Sequence, residues 1–230
     1  KLIKRPWVGL IFIIVVCLSF LGPEAINHRL WLSDLEVYYK AACRLINSEN
    51  LYRHPEDGHY IFKYSPVSAI IFIPLTVFSF ETAKIIYWLF LTGIIATTFY
   101  LSIQLILPKN GLSQASVKNN FLYAIAALIV ALHFLRELHL GQVNYLLMFM
   151  YVLVLMAYMN KNVVSGSFLL SLSIFIKPFG LIFLPYLLYR KKLKALIFVG
   201  ISVLVWGLTP LFFYRDWHLF INQYSAWINE

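Results

Sequence analysis

The chain has 230 residues, 61% of them hydrophobic, 17% aromatic and only 13% charged. A soluble globular surface needs about a quarter charged residues. The composition therefore excludes a soluble domain and predicts an all-α polytopic membrane protein, with residues 1–230 forming one membrane domain. The net charge of +9 does not point to nucleic acid, because the basic residues are spread over short gaps between apolar runs and form no stripe with stacking aromatics.

Lys1, Lys4 and Arg5 precede an apolar run from Trp7 to Leu21. A signal peptide and an uncleaved first helix both begin this way. No small-x-small cleavage site follows Phe20, so the run is expected to stay as the first membrane helix. Cys17 lies within it and Cys43 beyond it. The two have neither a disulfide framework's pattern nor metal-ligand spacing, and they read as small apolar residues.

The segment 23–82 is the polar exception in an apolar chain, carrying most of the acids together with many tyrosines and basic residues. Ionisable groups at this density must sit at or above the lipid surface, where water solvates them. A first juxtamembrane helix is expected after Ser33 or Asp34, with Ser33 as N-cap. Helical spacing puts Leu35, Tyr38, Tyr39, Ala42, Leu45 and Ile46 on its apolar side. A polar loop follows from Asn50 to Lys63. A second juxtamembrane helix starts at Pro66, a favoured first-turn residue.

Further runs long enough for about 30 Å of hydrocarbon are Ala83 to Leu107, Asn120 to Leu135, Val143 to Met159, Val163 to Ile176, Phe179 to Tyr189 and Ala195 to Phe213. The short sixth run works only if the Lys177-Pro178 step bends or unwinds the backbone inside the bundle. Ser65 to Phe80 is ambiguous between a span and a surface helix, and charge sorting decides. If it lies on the surface, the connectors with Lys1, Lys4 and Arg5, with Lys109 and Lys118, with Lys161, and with Arg190, Lys191, Lys192 and Lys194 share one side. None of them contains an acid. All the acids, from Glu24, Asp34, Glu36, Glu49, Glu56, Asp57 and Glu81 to Glu137, Asp216 and Glu230, then lie elsewhere. This positive-inside pattern predicts about seven spans in a plasma (inner) membrane, with the N-terminus cytoplasmic and the C-terminus and the 23–82 loop outside.

Asp34 reads either as a first-turn acid stabilised by the helix dipole or as a general base at the membrane surface. Tyr38 and Tyr39 follow it as substrate-contact candidates. Lys63 and Tyr64 stand where the chain returns to the membrane, and Lys63 suits either snorkelling or a phosphate contact. Lys177, inside an apolar stretch, needs a partner or water. The segment Leu132 to Asn144 groups His133, Arg136, Glu137, His139, Gln142 and Asn144 at a water-lipid boundary; Arg136 and Glu137 read as solvated and His139 as structural when taken singly, whereas as a group the six could hold a headgroup or sugar, with Arg136, His139, Gln142 and Asn144 as the substrate-contact candidates. No glycine-rich phosphate loop, nucleophile-His-acid arrangement or metal-spaced His/acid pair is recognisable, so no metal ligand or cofactor is assigned.

The ordered segments SDLEVYYKAACRL (33–45), NLY (50–52), FKYSPVSAIIFIPL (62–75), HLGQVN (139–144) and SGSFLLSLSIFIKPFGLIFLPYLLYRKK (165–192) resemble glycosyltransferase family 87. This resemblance implies a GT-C-like fold of about seven transmembrane helices with two juxtamembrane helices in the first outer loop. It implies transfer of a hexose such as mannose from a polyprenyl-phosphate donor to a lipid or glycan acceptor outside the cytoplasm, with inversion. Asp34 matches the family's first-loop aspartate and becomes the base. Tyr64 to Pro66 match its Tyr-x-Pro, Gly141, Gln142 and Asn144 its Gly-Gln-x-Asn, and Lys177 and Pro178 its Lys-Pro step. Arg136 and Lys177, with Lys63 as a third, become phosphate contacts. Family members extend through more spans, so the chain is expected to be an N-terminal portion or a shortened member.

The other partners expected are membrane lipids, and no nucleic acid. A transporter or flippase of a lipid-linked substrate is the competing reading, and it would use Lys177 and the Pro-interrupted helix. Paired repeats, common in transporters, are not evident. A noncatalytic assembly subunit is the third reading, in which the Asp34 loop is only a binding surface.

Overall fold

The computed structural model describes residues 7–27, 29–53, 55–106 and 133–230. All regular structure among the described residues is helical. Apart from its last three residues, the expected span Asn120 to Leu135 lies outside them. So do Lys1, Lys4, Arg5, Lys109 and Lys118.

Contacts divide the chain into two compact units, one of Lys1–Leu32 with Lys84–Val152, the other of Ser33–Ala83 with Leu153–Glu230. In the first, α1 (Trp7–Ile26) runs past the expected end at Leu21 and takes Pro23 into the helix. The long helix α4 (Phe80–Ile106) starts in the second unit and continues through the first. Trp88 of α4 is buried, and its indole N–H donates to the Cys17 carbonyl at 3.2 Å. α5 is described over His133–Leu140 and meets α6 (Asn144–Met159) at a bend of 116°. Gly141 turns this corner at φ 71°, a conformation that glycine adopts without strain.

The second unit opens with α2 (Ser33–Ile46), which buries Leu35, Tyr38, Ala41, Ala42, Arg44 and Leu45. The expected apolar side is thus corrected at both edges. Tyr39 is only half-buried and Ile46 is exposed, while Ala41 and Arg44 take the interior positions. α3 (Pro66–Phe72) starts at Pro66, as its first-turn preference predicts, and the Ser65 side chain, not singled out as a cap in the sequence, accepts from Ser68 N. Five residues of 3-10 helix, Ile73–Val77, complete it. Together they rise only about 20 Å, short of the hydrocarbon thickness.

α7 (Val163–Ile176) coincides with its expected run. The chain then breaks as the Lys177-Pro178 step demands. Lys177 is extended, Pro178–Ile182 form a 3-10 turn, and α8 (Phe183–Tyr189) follows. Gly180 permits this close return, since a Cβ there would lie 2.8 Å from Ser173 Oγ and 2.9 Å from Ile174 Cγ1. α9 (Leu193–Leu208) runs parallel to α7. Ser167 donates to the Ala195 carbonyl (3.1 Å) and Ser171 to that of Val199 (3.0 Å), so both helices advance four residues together. Val154, Leu170, Leu187, Ala195 and Val199 form the core between α6, α7, α8 and α9.

The last helix, α10 (Trp217–Ile228), was not expected from the sequence. Asp216 caps it by accepting from His218 N (3.1 Å) and Leu219 N (3.3 Å). It fastens the first loop: Gln223, buried, accepts from Leu51 N at 2.9 Å and donates to Asn50 Oδ1 at 2.6 Å. Arg53 pairs with Glu230 at 2.7 Å, and Ser48 donates to the Phe213 carbonyl at 2.6 Å.

Two described helices, Phe80–Leu105 and Leu193–Phe212, are long and apolar enough to cross a membrane, and the bent α5-α6 pair makes a third if it counts as one span. The other apolar helices have 10–17 residues. Seven spans are therefore not shown by the described residues. In the second unit one end carries bases alone, while the other carries acids together with Lys40, Arg44, Arg53, Lys63 and Lys177. Lys161, Arg190, Lys191, Lys192 and Lys194 lie at the end where α7 and α9 begin, and the loop bearing Asp34, Glu49, Glu56 and Asp57 meets the end where α7 finishes.

Candidate functional site

Ser65 joins the first loop to the end of α7. Its hydroxyl is buried and donates to the Phe175 carbonyl at 2.7 Å, two residues before Lys177. Tyr64 is thereby set beside Lys177, whose Nζ lies 5.8 Å from the Tyr64 ring centroid, within cation-π range. The Tyr64 hydroxyl shares a 3.1 Å hydrogen bond with that of Tyr38, and the two rings meet edge to face at 5.2 Å. Tyr38 is buried on α2, and Asp34 sits one turn earlier on the same face, half-buried in the first turn. Four of the expected residues, Asp34, Tyr38, Tyr64 and Lys177, therefore converge on one end of the second unit.

Tyr52, not singled out in the sequence, holds this group from behind by donating to the Tyr64 carbonyl at 2.7 Å. Burial first, and then the neighbouring Tyr214, Tyr224 and Glu230, push the Tyr52 hydroxyl far above its ordinary range, so it stays a donor. Tyr39 turns elsewhere, donating to the Phe78 carbonyl at 2.8 Å and packing on Phe80. Lys63 is exposed.

The polar loop is pinned to α2 by a pair that sequence reading did not find. Arg44 grips Asp57 with two parallel bonds of 2.6 and 2.7 Å, both side chains being buried. This fork geometry is the strongest form of a carboxylate contact. Beside it, Tyr39, Lys40, Cys43, Glu49 and Glu56 line a shallow cavity of about 210 Å³. Burial and, less so, Glu49 raise the Cys43 thiol above its ordinary value.

The remaining expected residues belong to the first unit. His139 Nδ1 lies 3.1 Å from Glu24 Oε2 and its ring faces Trp31 at 5.6 Å. Arg136 is exposed one turn earlier on α5. Glu24, Arg136 and His139, with Phe20, Trp88 and Leu135, line a cavity of about 230 Å³, polar at the charged side chains and apolar elsewhere. Asn144 donates to Glu137 Oε1 at 3.0 Å and to Gln142 Oε1 at 2.6 Å, tying the α5-α6 corner. No group of three metal-ligating side chains occurs among the described residues.

No curated protein and no solved structure matches the chain. A family model does match, over residues 62–229, which include Tyr64, Gln142, Asn144 and Lys177 and begin after Asp34. The match extends over most of the chain and takes in the polar residues at the end of α7 and at the α5-α6 corner. The chain thus belongs to glycosyltransferase family 87 and is a glycosyltransferase.

Proposed function

We propose that the protein transfers a hexose, mannose being the first candidate, from a polyprenyl-phosphate donor to a lipid or glycan acceptor on the extracytoplasmic side of the plasma (inner) membrane, through about seven spans with the N-terminus in the cytoplasm. The observation that carries this reading is the convergence of Asp34, Tyr38, Tyr64 and Lys177 at the acid-rich end of the second unit, away from its basic connectors. The positive-inside rule puts those connectors in the cytoplasm, and the cluster then faces out.

A polyprenyl phosphate is already a good leaving group, so the protein's tasks are to hold the phosphate, orient the acceptor and remove one proton. Lys177 supplies positive charge at the phosphate and the Tyr38-Tyr64 pair borders the sugar. Asp34 takes the proton of the acceptor hydroxyl as that oxygen attacks the anomeric carbon from the face opposite the phosphate, which inverts the configuration. Arg136, His139, Gln142 and Asn144 contact the glycosyl or headgroup portion of a substrate.

Transfer of labelled sugar from polyprenyl-phosphate donors, in membranes carrying native protein or Asp34→Asn, tests this. Asn keeps an oxygen for the first turn but accepts no proton, and a general base contributes about 10² to 10⁴ in rate. The variant is expected to insert and bind donor normally while transferring at least about 10²-fold more slowly. Transfer by the variant at the native rate removes Asp34 from the mechanism.

A further inference from the structure

Three sectors follow one another around α10. At about 100° per residue, Phe220, Gln223 and Trp227 fall together, and this sector faces the protein. Phe220 and Gln223 are buried, and the Trp227 ring lies 6.3 Å from that of Phe175. Trp217, Ile221 and Ile228 share the next sector, within about 40° of one another, and are 52%, 46% and 78% exposed. Beyond them come Ser225, His218 and Asn222, all exposed. No Asp, Glu, Lys or Arg occurs between Trp217 and Ile228, whereas Arg215, Asp216 and Glu230 stand just outside. The helix thus has a core side, an open apolar flank and an open polar flank.

Two contacts fix the level at which it lies. The Tyr224 hydroxyl donates to the Gly207 carbonyl at 2.6 Å, in the last turn of α9, and Trp227 meets Phe175 in the last turn of α7. α10 therefore folds back across the ends of both helices instead of prolonging α9. Its 12 residues rise about 18 Å, too little to cross about 30 Å of hydrocarbon. The apolar flank continues the outer surface of α9, where Leu204, Val205, Leu208 and Phe212 are each at least half exposed. That surface belongs to the helix Leu193–Phe212, which is long and apolar enough to cross a membrane. Where such a span ends, the lipid surface lies, and indole rings favour that level.

We propose that α10 is an interfacial helix, lying in the plane of the membrane surface with Trp217, Ile221 and Ile228 among the lipid headgroups and upper acyl chains and with Ser225, His218 and Asn222 in water. The partner of the apolar flank is lipid. Gln223, nearly opposite that flank, fastens Asn50 and Leu51 of the first loop. The bilayer and the loop then hold two sides of one helix, and the membrane surface sets the height at which the loop is clasped. The inference rests on α9 crossing the bilayer and is independent of the donor, the acceptor and Asp34.

The test uses the full chain carrying Cys43→Ser in lipid nanodiscs, with single nitroxide labels on Ile221→Cys, Asn222→Cys, Ser225→Cys and Ile228→Cys, and on Leu204→Cys as a reference on α9. Collisions with oxygen, which concentrates in lipid, are compared with those of a water-soluble nickel chelate. Labels at 221 and 228 are expected to meet oxygen several-fold more than nickel, as at 204, with the order reversed at 222 and 225. Nickel access at 221 and 228 equal to that at 222 would lift the helix off the bilayer and overturn the proposal. Protection of 221 and 228 from both reagents would overturn it too, showing that another protein segment or a second copy covers the flank. Oxygen preference at all four positions would sink the helix into the hydrocarbon and equally refute it. Nickel preference at 204 would instead remove the span on which the inference rests, so the two failures are told apart. Melting of each labelled variant like the native protein shows that the labels leave the fold intact.

Discussion

The hydroxyl of Ser65 donates to the carbonyl of Phe175 at 2.7 Å and so fastens Tyr64 to the strand-like step that carries Lys177. One small side chain thus links a loop and a helix end separated by 110 positions. It also caps α3 by accepting from Ser68 N at 3.4 Å. Replacing Ser65 by Ala removes both roles and leaves a buried carbonyl short of a donor, costing about 1–3 kcal/mol. Thermal unfolding in detergent should register this loss, and sugar transfer should fall further than the unfolded fraction explains. A variant as stable and active as the native protein would show that the link is dispensable.

Arg44 and Asp57 make a different demand. Removing one partner strands the other charge inside the protein, so Arg44→Met should destabilise by about 3–5 kcal/mol. Joint replacement with Asp57→Leu should recover much of this. Arg53→Ala leaves Glu230, whose side chain is only 9% exposed, without a partner that is itself mostly exposed, so it should cost less than Arg44→Met but more than the ~1 kcal/mol of an open surface pair. Denaturation of the three variants side by side checks the ranking.

Gly180→Ala should push the 3-10 turn off α7, because the new methyl meets Ser173 Oγ at 2.8 Å and Ile174 Cγ1 at 2.9 Å, neither at the tip of a long side chain. Such overpacking costs about 1–3 kcal/mol. The displacement should also loosen Lys177 from Tyr64 and raise the donor KM. An unchanged melting temperature and KM would mean that the turn has room to yield.

Lys177→Met separates a phosphate contact from a lysine that merely reaches for water. Loss of the charge should ease membrane insertion while donor binding weakens by about tenfold or more. If donor affinity is unaltered, Lys177 has no phosphate to hold.

The orientation can be read with impermeant maleimide in intact cells carrying Cys43→Ser. A cysteine at Glu56 should label and one at Lys192 should not. The reverse result turns the second unit over and places the Asp34 cluster in the cytoplasm.

Legibility in the sequence followed the range of the forces involved. Local chemistry was readable: the Pro66 start of α3, the run from Val163 to Ile176, and the break at Lys177-Pro178 all come from hydropathy and proline geometry within a few residues. Tyr64 and Lys177 could be nominated, and Tyr38 with them, but that they meet depends on Ser65 reaching Phe175, which no local pattern encodes. The Arg44-Asp57 pair escaped for the same reason, and it rotated the buried face of α2 away from the simple apolar reading. α10 was missed although Asp216, just past an apolar run, is an ordinary N-cap and the signal that could have found it.

The clasp between Leu51 and Gln223 joins positions 172 residues apart. At about 5–20 residues per second of synthesis, the first loop emerges roughly ten to thirty seconds before the helix that fastens it. During that interval the Leu51 amide and the Asn50 side chain must be satisfied by water or by a chaperone. The end of the second unit carrying Asp34 and Lys177 therefore cannot become native until α10 has been made, and a nascent chain halted before Trp217 carries the residues of the cluster without the clasp that holds its loop.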